Sequence, residues 1–545
     1  MLILGRLPLL VLLIGIAGLA MLVPAGYAAA TGWRAIAGYF VFSSLLMLVM
    51  TALLGIATSG RAQPQGGNGL PVLATMLAVF GLLPLALGVP LSMALPDTGL
   101  FNAWWEMVSC LTTTGATLYA ADMLAPPLHL WRSLVGWMGG LFVLVTAVAV
   151  LAPLKVGGFE IMASPYGRDE RFQPLPESAT SRRRQAGQLF YTSVGERATP
   201  SMRALRVMRD IAPIYGGLTI ALWVALLLAG DPGLIALTRA MGTLSTSGIS
   251  PVTGSIGAHS GIPGEMLVFC FLIFAMSRRL WPGAGQLRAS DSVTADPELR
   301  IGFGVVILVA VLLFARHFVF SIEQVNEGSA APEGLAVSIR NAAVATWGGL
   351  FNAMSFLTTT GWNSVDWQGA RSWSGLQSPG LLLAGLAMMG GGIATTAGGV
   401  KLLRVYALAS QSQRELEQIV HPASVAGGGR MGRRLRGEGA YLAFIFFMLF
   451  ALSIAATVIL ISIHQIEFDT AVMLSVSALT NTGPLAGTIA LTPSFEASAG
   501  YASNPFEGWS GLALLPKSVL AGAMIVGRLE TLAILALLAP DFWRR

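Results

Sequence analysis

Charge is what this chain has least of: Asp, Glu, Lys and Arg make up only 11% of its 545 residues. Soluble domains carry roughly 25%, so a water-facing globule is excluded. Cysteine is nearly absent too. Cys110 and Cys270 both lie in hydrophobic or pore-like segments, which leaves no disulfide framework. The five histidines, His129, His259, His317, His421 and His464, show no metal-ligand spacing. Acidic residues do not cluster at one membrane face, since Glu106, Asp122, Asp366 and Asp469 stand singly and far apart. A membrane-embedded enzyme, such as a lipid-linked transferase, is therefore only a distant alternative, and the chain is read as no enzyme. No Gly-rich nucleotide-binding fold is present, and the net charge of +6 follows membrane topology rather than a nucleic-acid partner.

What remains is apolar. Hydrophobic residues make up 54% of the chain, and the mean hydropathy is +0.70. A spanning helix needs about 20 apolar residues. Ten stretches approach that length, at 7–23, 35–57, 70–95, 130–154, 211–229, 266–276, 301–320, 379–392, 441–463 and 512–538. The first is expected to be an uncleaved helix rather than a signal peptide, because a second span follows almost at once. Basic residues gather in alternate loops: Lys155 to Arg209, then Arg278, Arg279 and Arg288, then Lys401 to Arg436. The opposite loops hold only Arg34, Arg132, Arg239, Arg340 and Arg371 beside many acids. By the positive-inside rule the basic side is cytoplasmic, so both termini are cytoplasmic and ten spans satisfy that parity.

Between pairs of these spans, one small unit recurs four times. It reads Thr112-Thr113-Thr114-Gly115, Ser245-Thr246-Ser247-Gly248, Thr358-Thr359-Thr360-Gly361 and Thr480-Asn481-Thr482-Gly483. The glycines are 133, 113 and 122 residues apart. Glycine lets a backbone adopt turns closed to other residues and approach a ligand closely. The preceding segments, such as 102–111 and 342–357, are too short to span and suit re-entrant half-helices. Each would aim the negative end of its dipole at a common axis. Four such turns present rings of carbonyl oxygens, which can replace the hydration shell of K⁺. The expected ion-binding residues are Thr113, Thr114, Gly115, Thr246, Ser247, Gly248, Thr359, Thr360, Gly361, Asn481, Thr482 and Gly483. Their hydroxyls could anchor the turns or add oxygen ligands.

Two further features stand out. Gly390, Gly391, Gly392, Thr395, Thr396, Gly398 and Gly399, followed by Lys401, cannot make a good helix. Such a break survives at membrane depth only where it lines a cavity or is buried in protein; a tight helix crossing, with Lys401 and Arg404 as a plain cytoplasmic anchor, is the duller reading. Arg528, beside Gly527 and followed by Leu529 and Glu530, is an ionisable group within a span and so faces an interior or a water path. An ion pair with Glu530 is the simpler alternative.

From residue 70 onward the pattern resembles the Trk/Ktr/HKT superfamily of potassium transporters, and most of all its Trk-type uptake subunit. Leu111 to Thr117, Leu479 to Pro484, and Gly139 with Gly140 carry the resemblance. It implies an all-α integral membrane protein with four helix–pore-loop–helix repeats around a central pore, after two leading transmembrane helices. The expected division is 1–69 leading helices, 70–158 repeat 1, 159–204 linker, 205–290 repeat 2, 291–410 repeat 3, 411–438 linker and 439–545 repeat 4. It also implies K⁺ uptake across the bacterial inner membrane, gating by the 390–401 loop and Arg528, a homodimer set in membrane lipid, and a cytoplasmic nucleotide-binding regulatory subunit. K⁺ is then the transported ion, with no organic cofactor. A Na⁺ or mixed Na⁺/K⁺ transporter of the same superfamily is the alternative, kept open by departures from the family pattern. Trp362 and Asn363 after the third glycine are the ones that keep it open; Ile249 after the second, and a second helix near 269–277 without glycine, depart from the pattern as well. The long basic linker with Arg182, Arg183 and Arg184 reads as a solvated loop or a docking surface.

Overall fold

The structure is a computed structural model describing residues 8–58, 70–152, 200–252, 254–281, 296–326, 335–375, 379–421, 437–464, 466–491 and 508–529. Every regular element among them is helical. Three helices lead: α1 (Leu9–Ala20), α2 (Leu22–Ala30) and α3 (Arg34–Thr58). The first two form one span broken at Met21. Repeat 1 is α4 (Leu70–Ala94), α5 (Gly99–Leu111) and α6 (Pro126–Thr146); repeat 2 is α7 (Pro200–Leu228), α8 (Gly233–Leu244) and α9 (Gly261–Leu272). Repeat 3 holds α10 (Pro297–Asn326), α11 (Leu335–Leu357), the short α12 (Trp367–Ser374) and α13 (Pro379–Met389). After α14 (Leu402–Val420), repeat 4 comprises α15 (Gly437–Ser462), α16 (Phe468–Leu479) and α17 (Leu514–Leu529).

Seven described helices are long and apolar enough to cross a membrane, fewer than the ten expected stretches. The other three are second helices of repeats. Helix α9 tightens into a 3₁₀ turn at Ile273–Ala275, and α13 stops at Met389, before Gly390 at φ +72°. Helix α17 is described only to Leu529, so Glu530 and its expected pairing lie outside the described residues. The third pore helix is longer than the half-helix expected, since α11 runs 23 residues.

Packing follows one rule four times. Each pore helix (α5, α8, α11, α16) packs against both the first and the second helix of its own repeat. Each second helix also packs on the pore helix of the next repeat: α6 on α8, α9 on α11, α13 on α16, and α17 back on α5. That last contact closes the circle, which makes the four repeats quarters of one pore. The leading helices pad repeat 1 through contacts of α1 and α3 with α4 and of α2 with α6. Prolines within α4 are accommodated by tryptophan. Trp104 Nε1 donates to the Gly81 carbonyl at 2.9 Å and Trp131 Nε1 to Leu87 at 3.1 Å, in the turns before Pro84 and Pro90. Proline disturbs the carbonyls of its preceding turn, and neighbouring side chains satisfy them at membrane depth.

Candidate functional site

Each pore helix ends on leucine (Leu111, Leu244, Leu357, Leu479) and runs straight into its Ser/Thr–Gly turn. The first turn residue bonds back through its hydroxyl to the carbonyl four residues earlier: Thr112 to Val108 at 2.8 Å, Ser245 to Met241 at 2.8 Å, Thr358 to Met354 at 2.9 Å and Thr480 to Val476 at 2.7 Å. The same hydroxyl pairs with the third residue, over 2.8 Å in Thr112–Thr114, 2.9 Å in Ser245–Ser247 and 3.1 Å in both Thr358–Thr360 and Thr480–Thr482. Those hydroxyls therefore anchor the turns. The second residue is left-handed in all four copies, with φ of 57° at Thr113, 53° at Thr246, 58° at Thr359 and 55° at Asn481. A non-glycine residue persists there only where its surroundings over-determine it.

The carbonyls differ by level. No hydrogen bond among the described residues uses those of Thr113, Thr246, Thr359 or Asn481, so this ring is complete. One residue on, the Ser247 and Thr360 carbonyls likewise accept no hydrogen bond among the described residues. Thr114, however, accepts from the Gly483 N–H at 2.6 Å, and Thr482 accepts from Ser477 Oγ at 2.8 Å and from Leu485 N–H at 3.1 Å. The fourth quarter breaks the symmetry because Gly483 opens a 3₁₀ helix (Gly483–Leu491) and lacks the positive φ of Gly115, Gly248 and Gly361.

The glycines close the ring. A Cβ on Gly115 would lie 1.8 Å from the Ser247 carbonyl oxygen, and one on Gly248 would lie 2.2 Å from that of Thr360. On Gly361 it would meet Pro484 at 2.8 Å, and on Gly483 the Ala116 nitrogen at 2.2 Å. Each Ser/Thr–Gly turn is thus pressed against the next, first to second, second to third, third to fourth, fourth to first. Only glycine lets backbones approach so closely.

The 390–401 segment is irregular, as its glycines predict, and folds back under this ring. Val400 N–H donates to Met388 at 2.9 Å and Lys401 N–H to Met389 at 3.0 Å, so the loop returns to the end of α13. It then touches three quarters. Gly398 N–H donates to Thr359 Oγ1 at 2.7 Å, Thr396 Oγ1 to the Leu244 carbonyl at 3.2 Å, and a Cβ on Gly398 would lie 2.0 Å from the Thr480 carbonyl. Arg528, 8% exposed, donates from Nη2 to the Thr396 carbonyl at 2.6 Å. Gly392 N–H donates to Ala275 at 3.0 Å, Ile393 N–H to Glu298 Oε1 at 2.8 Å, and Thr395 Oγ1 to Gly392 at 2.7 Å. Gly390, Gly399 and Lys401 take φ of 72°, 75° and 86°, and a Cβ on Gly391 would lie 2.5 Å from the Ala275 carbonyl. Lys401 Nζ donates to the Ala397 carbonyl. Lys401 and Arg404 are both buried, and Arg404 lies 3.6 Å over the Phe446 ring, so neither is a solvated anchor.

Residues 231–544, more than half of the chain, match the family TrkH, described as cation transport protein. The chain belongs to the TrkH family. Among its relatives, the Trk system potassium uptake protein TrkI of Halomonas elongata is 26% identical, over 86% of this chain and 82% of that one. The Trk system potassium uptake protein TrkH of Escherichia coli is 27% identical, over 86% and 84%. The crystal structure of the potassium transporter TrkH from Vibrio parahaemolyticus superposes with a TM-score of 0.71, 23% identity and 99% coverage of both chains, a likeness of fold.

This TrkH-family chain carries a layer of buried polar side chains behind its Ser/Thr–Gly turns that the sequence reading passed over. Nine residues before Gly115, Gly248 and Gly361 stand Glu106, Arg239 and Asn352, where the fourth copy has Leu474. Each of the three holds the segment following its own Ser/Thr–Gly turn. Glu106 accepts from Arg132 Nε at 2.7 Å and from Leu118 N–H at 2.9 Å. Arg239 donates to both carboxylate oxygens of Asp231 at 2.8 and 2.9 Å, and to the Ser255 carbonyl at 3.3 Å. Asn352 Oδ1 accepts from Ser364 N–H at 2.9 Å. Arg132 and Arg239, read above as loop charges, are in fact buried helix residues paired with acids. Their regular offset from the glycines was the available signal.

Both departures after the third glycine make contacts to repeat 2. Trp362 Nε1 donates to Thr243 Oγ1 of α8 at 3.2 Å. Asn363 accepts from Asn352 Nδ2 at 3.1 Å through its side chain, and from Ile256 N–H at 2.9 Å through its carbonyl. Asn481 Nδ2 similarly joins the fourth quarter to Thr114 Oγ1 of the first at 3.0 Å, and within its own quarter donates to the Met524 carbonyl at 2.9 Å.

Proposed function

We propose that the chain takes up K⁺ across the bacterial inner membrane through the ring of four filter turns. The observation that carries this reading is the complete ring of unengaged carbonyls at Thr113, Thr246, Thr359 and Asn481, set at the C-terminal ends of four pore helices. Such oxygens replace an ion's hydration shell, and the helix dipoles favour a cation there. Ser247, Thr360 and the filter glycines extend the path on one side. On the other, the 390–401 loop closes it, held by Thr359, Thr396 and Arg528. Arg528 adds positive charge beneath the filter, which opposes cation leak when the loop is in place.

The names of the relatives, potassium uptake proteins of a Trk system, support K⁺ as the ion and a multi-subunit setting. The full reading has the quarters at 70–158, 205–290, 291–410 and 439–545, both termini cytoplasmic, a homodimer in membrane lipid, and a separate nucleotide-binding subunit on the basic side. Transport, not catalysis, is the activity. The test is uptake of ⁸⁶Rb⁺ by purified protein in liposomes against K⁺, Na⁺ and Li⁺ competitors, wild type beside Gly361→Ser. Competition by K⁺ but not Na⁺, weakened in the variant, is expected. Equal competition by Na⁺ would place the chain among mixed-cation transporters and overturn the proposal.

A further inference from the structure

Glu265 lies on α9 of repeat 2, fully buried, and among the described residues it forms no ion pair. A buried carboxylate without a cation is costly unless hydrogen bonds satisfy it. Its bonds all go to repeat 3. Oε1 accepts from the Val365 N–H at 2.6 Å; Oε2 accepts from Ser364 Oγ at 2.7 Å and from Trp347 Nε1 at 2.9 Å. Val365 and Ser364 stand four and three residues after Gly361, and Trp347 lies on the third pore helix. One turn after Glu265, Phe269 packs on the Trp347 ring with centroids 5.6 Å apart. Side chains four apart share a helix face, so α9 presents carboxylate and ring together to the back of the third filter.

We infer that Glu265 is a positioning residue for ion selectivity: from repeat 2 it clamps the far end of the third filter. This rests on the potassium-filter reading above. The third filter has two ends to secure. Its near end is tied to its own pore helix, through Thr360 N–H and Gly361 N–H on the Ser355 carbonyl at 2.9 and 3.2 Å. Its far end is held by Asn352 and, across the boundary between repeats, by Glu265. Bonds to a charged acceptor are shorter and about twice as strong as neutral ones. Releasing them lets the Thr360–Gly361 backbone relax away from Gly248, on which it is pressed. The ring then widens and loses its preference between ions that differ only in size. The adjoining turn of repeat 2 takes part too, because a Cβ on Gly257 would lie 2.7 Å from Glu265 Oε1.

The test measures ⁸⁶Rb⁺ uptake in proteoliposomes of the full chain, with Na⁺ competition, for wild type, Glu265→Gln, Ser364→Ala and Gly257→Ala. Glutamine keeps the shape but turns one acceptor oxygen into a donor, so at least one of the three bonds is lost. The K⁺ over Na⁺ ratio should fall about tenfold in Glu265→Gln, equivalent to ~1.4 kcal/mol, while maximal Rb⁺ uptake per folded protein stays within about twofold. Ser364→Ala, and Gly257→Ala, which displaces the carboxylate without altering it, should shift the ratio the same way by a smaller factor. If Glu265→Gln is not recovered folded, these two decide the matter alone. A selective wild type with equally selective variants overturns this inference and leaves the potassium filter standing. A wild type that does not tell K⁺ from Na⁺ overturns both.

Discussion

Adding one methyl group at Gly115 is the sharpest probe of the ring. Gly115 sits at φ +74°, where an L-residue costs roughly 1–2 kcal/mol. Its Cβ would also begin 1.8 Å from the Ser247 carbonyl oxygen, and must reach beyond 3.0 Å, so the second filter has to retreat by more than an ångström. Overpacking of this kind typically costs 1–3 kcal/mol. Together the terms come to about 2–5 kcal/mol, and at 1.4 kcal/mol per decade the native ring is depleted at least ~30-fold. Gly361→Ala is the internal control. Its φ of +79° carries the same backbone cost, but the obstacle is the Pro484 ring at 2.8 Å, which needs only a slight shift. Proteoliposome uptake of ⁸⁶Rb⁺, with Na⁺ as competitor, should therefore rank wild type above Gly361→Ala and Gly361→Ala above Gly115→Ala. Uptake and selectivity of Gly115→Ala within about threefold of wild type would refute the claim that adjacent filters approach so closely only because glycine stands there. So would a reversed order of the two variants.

Three further outcomes are expected. Arg528→Ala removes the bond to Thr396 and the charge beneath the filter, so passive Rb⁺ leak should rise about tenfold or more, the loss of one bond to a charged group being worth roughly 1.5–3 kcal/mol; unchanged efflux from preloaded liposomes would remove Arg528 from the gate. Thr359→Val takes away the acceptor of the Gly398 N–H at nearly constant volume, and should raise leak by about fivefold, since one neutral bond is worth ~1 kcal/mol. Arg132→Ala leaves Glu106 buried and unpaired, a cost of about 3–5 kcal/mol. A clearly lowered melting midpoint in detergent should follow, partly restored in the double variant Glu106→Gln, Arg132→Met.

The sequence determined by itself whatever depends on neighbours along the chain. Low charge and long apolar runs specify a membrane protein, because hydration is the cost those segments avoid. The leucine, hydroxyl and glycine order specifies where each pore helix stops, because Thr112, Ser245, Thr358 and Thr480 cap their own helices with bonds to carbonyls four residues earlier. The five glycines of 390–399 likewise declare a broken span. Only the tertiary structure decided how the quarters meet. Arg132 and Arg239 looked like loop charges until their carboxylate partners came beside them, and Trp362 looked like a deviant filter residue until Thr243 of another repeat received its indole. The fourth quarter keeps the sequence motif yet spends its Gly483 N–H on Thr114, a contact between residues more than three hundred positions apart. Bonds of that kind depend on which backbones the closed ring brings together, and no local pattern encodes them.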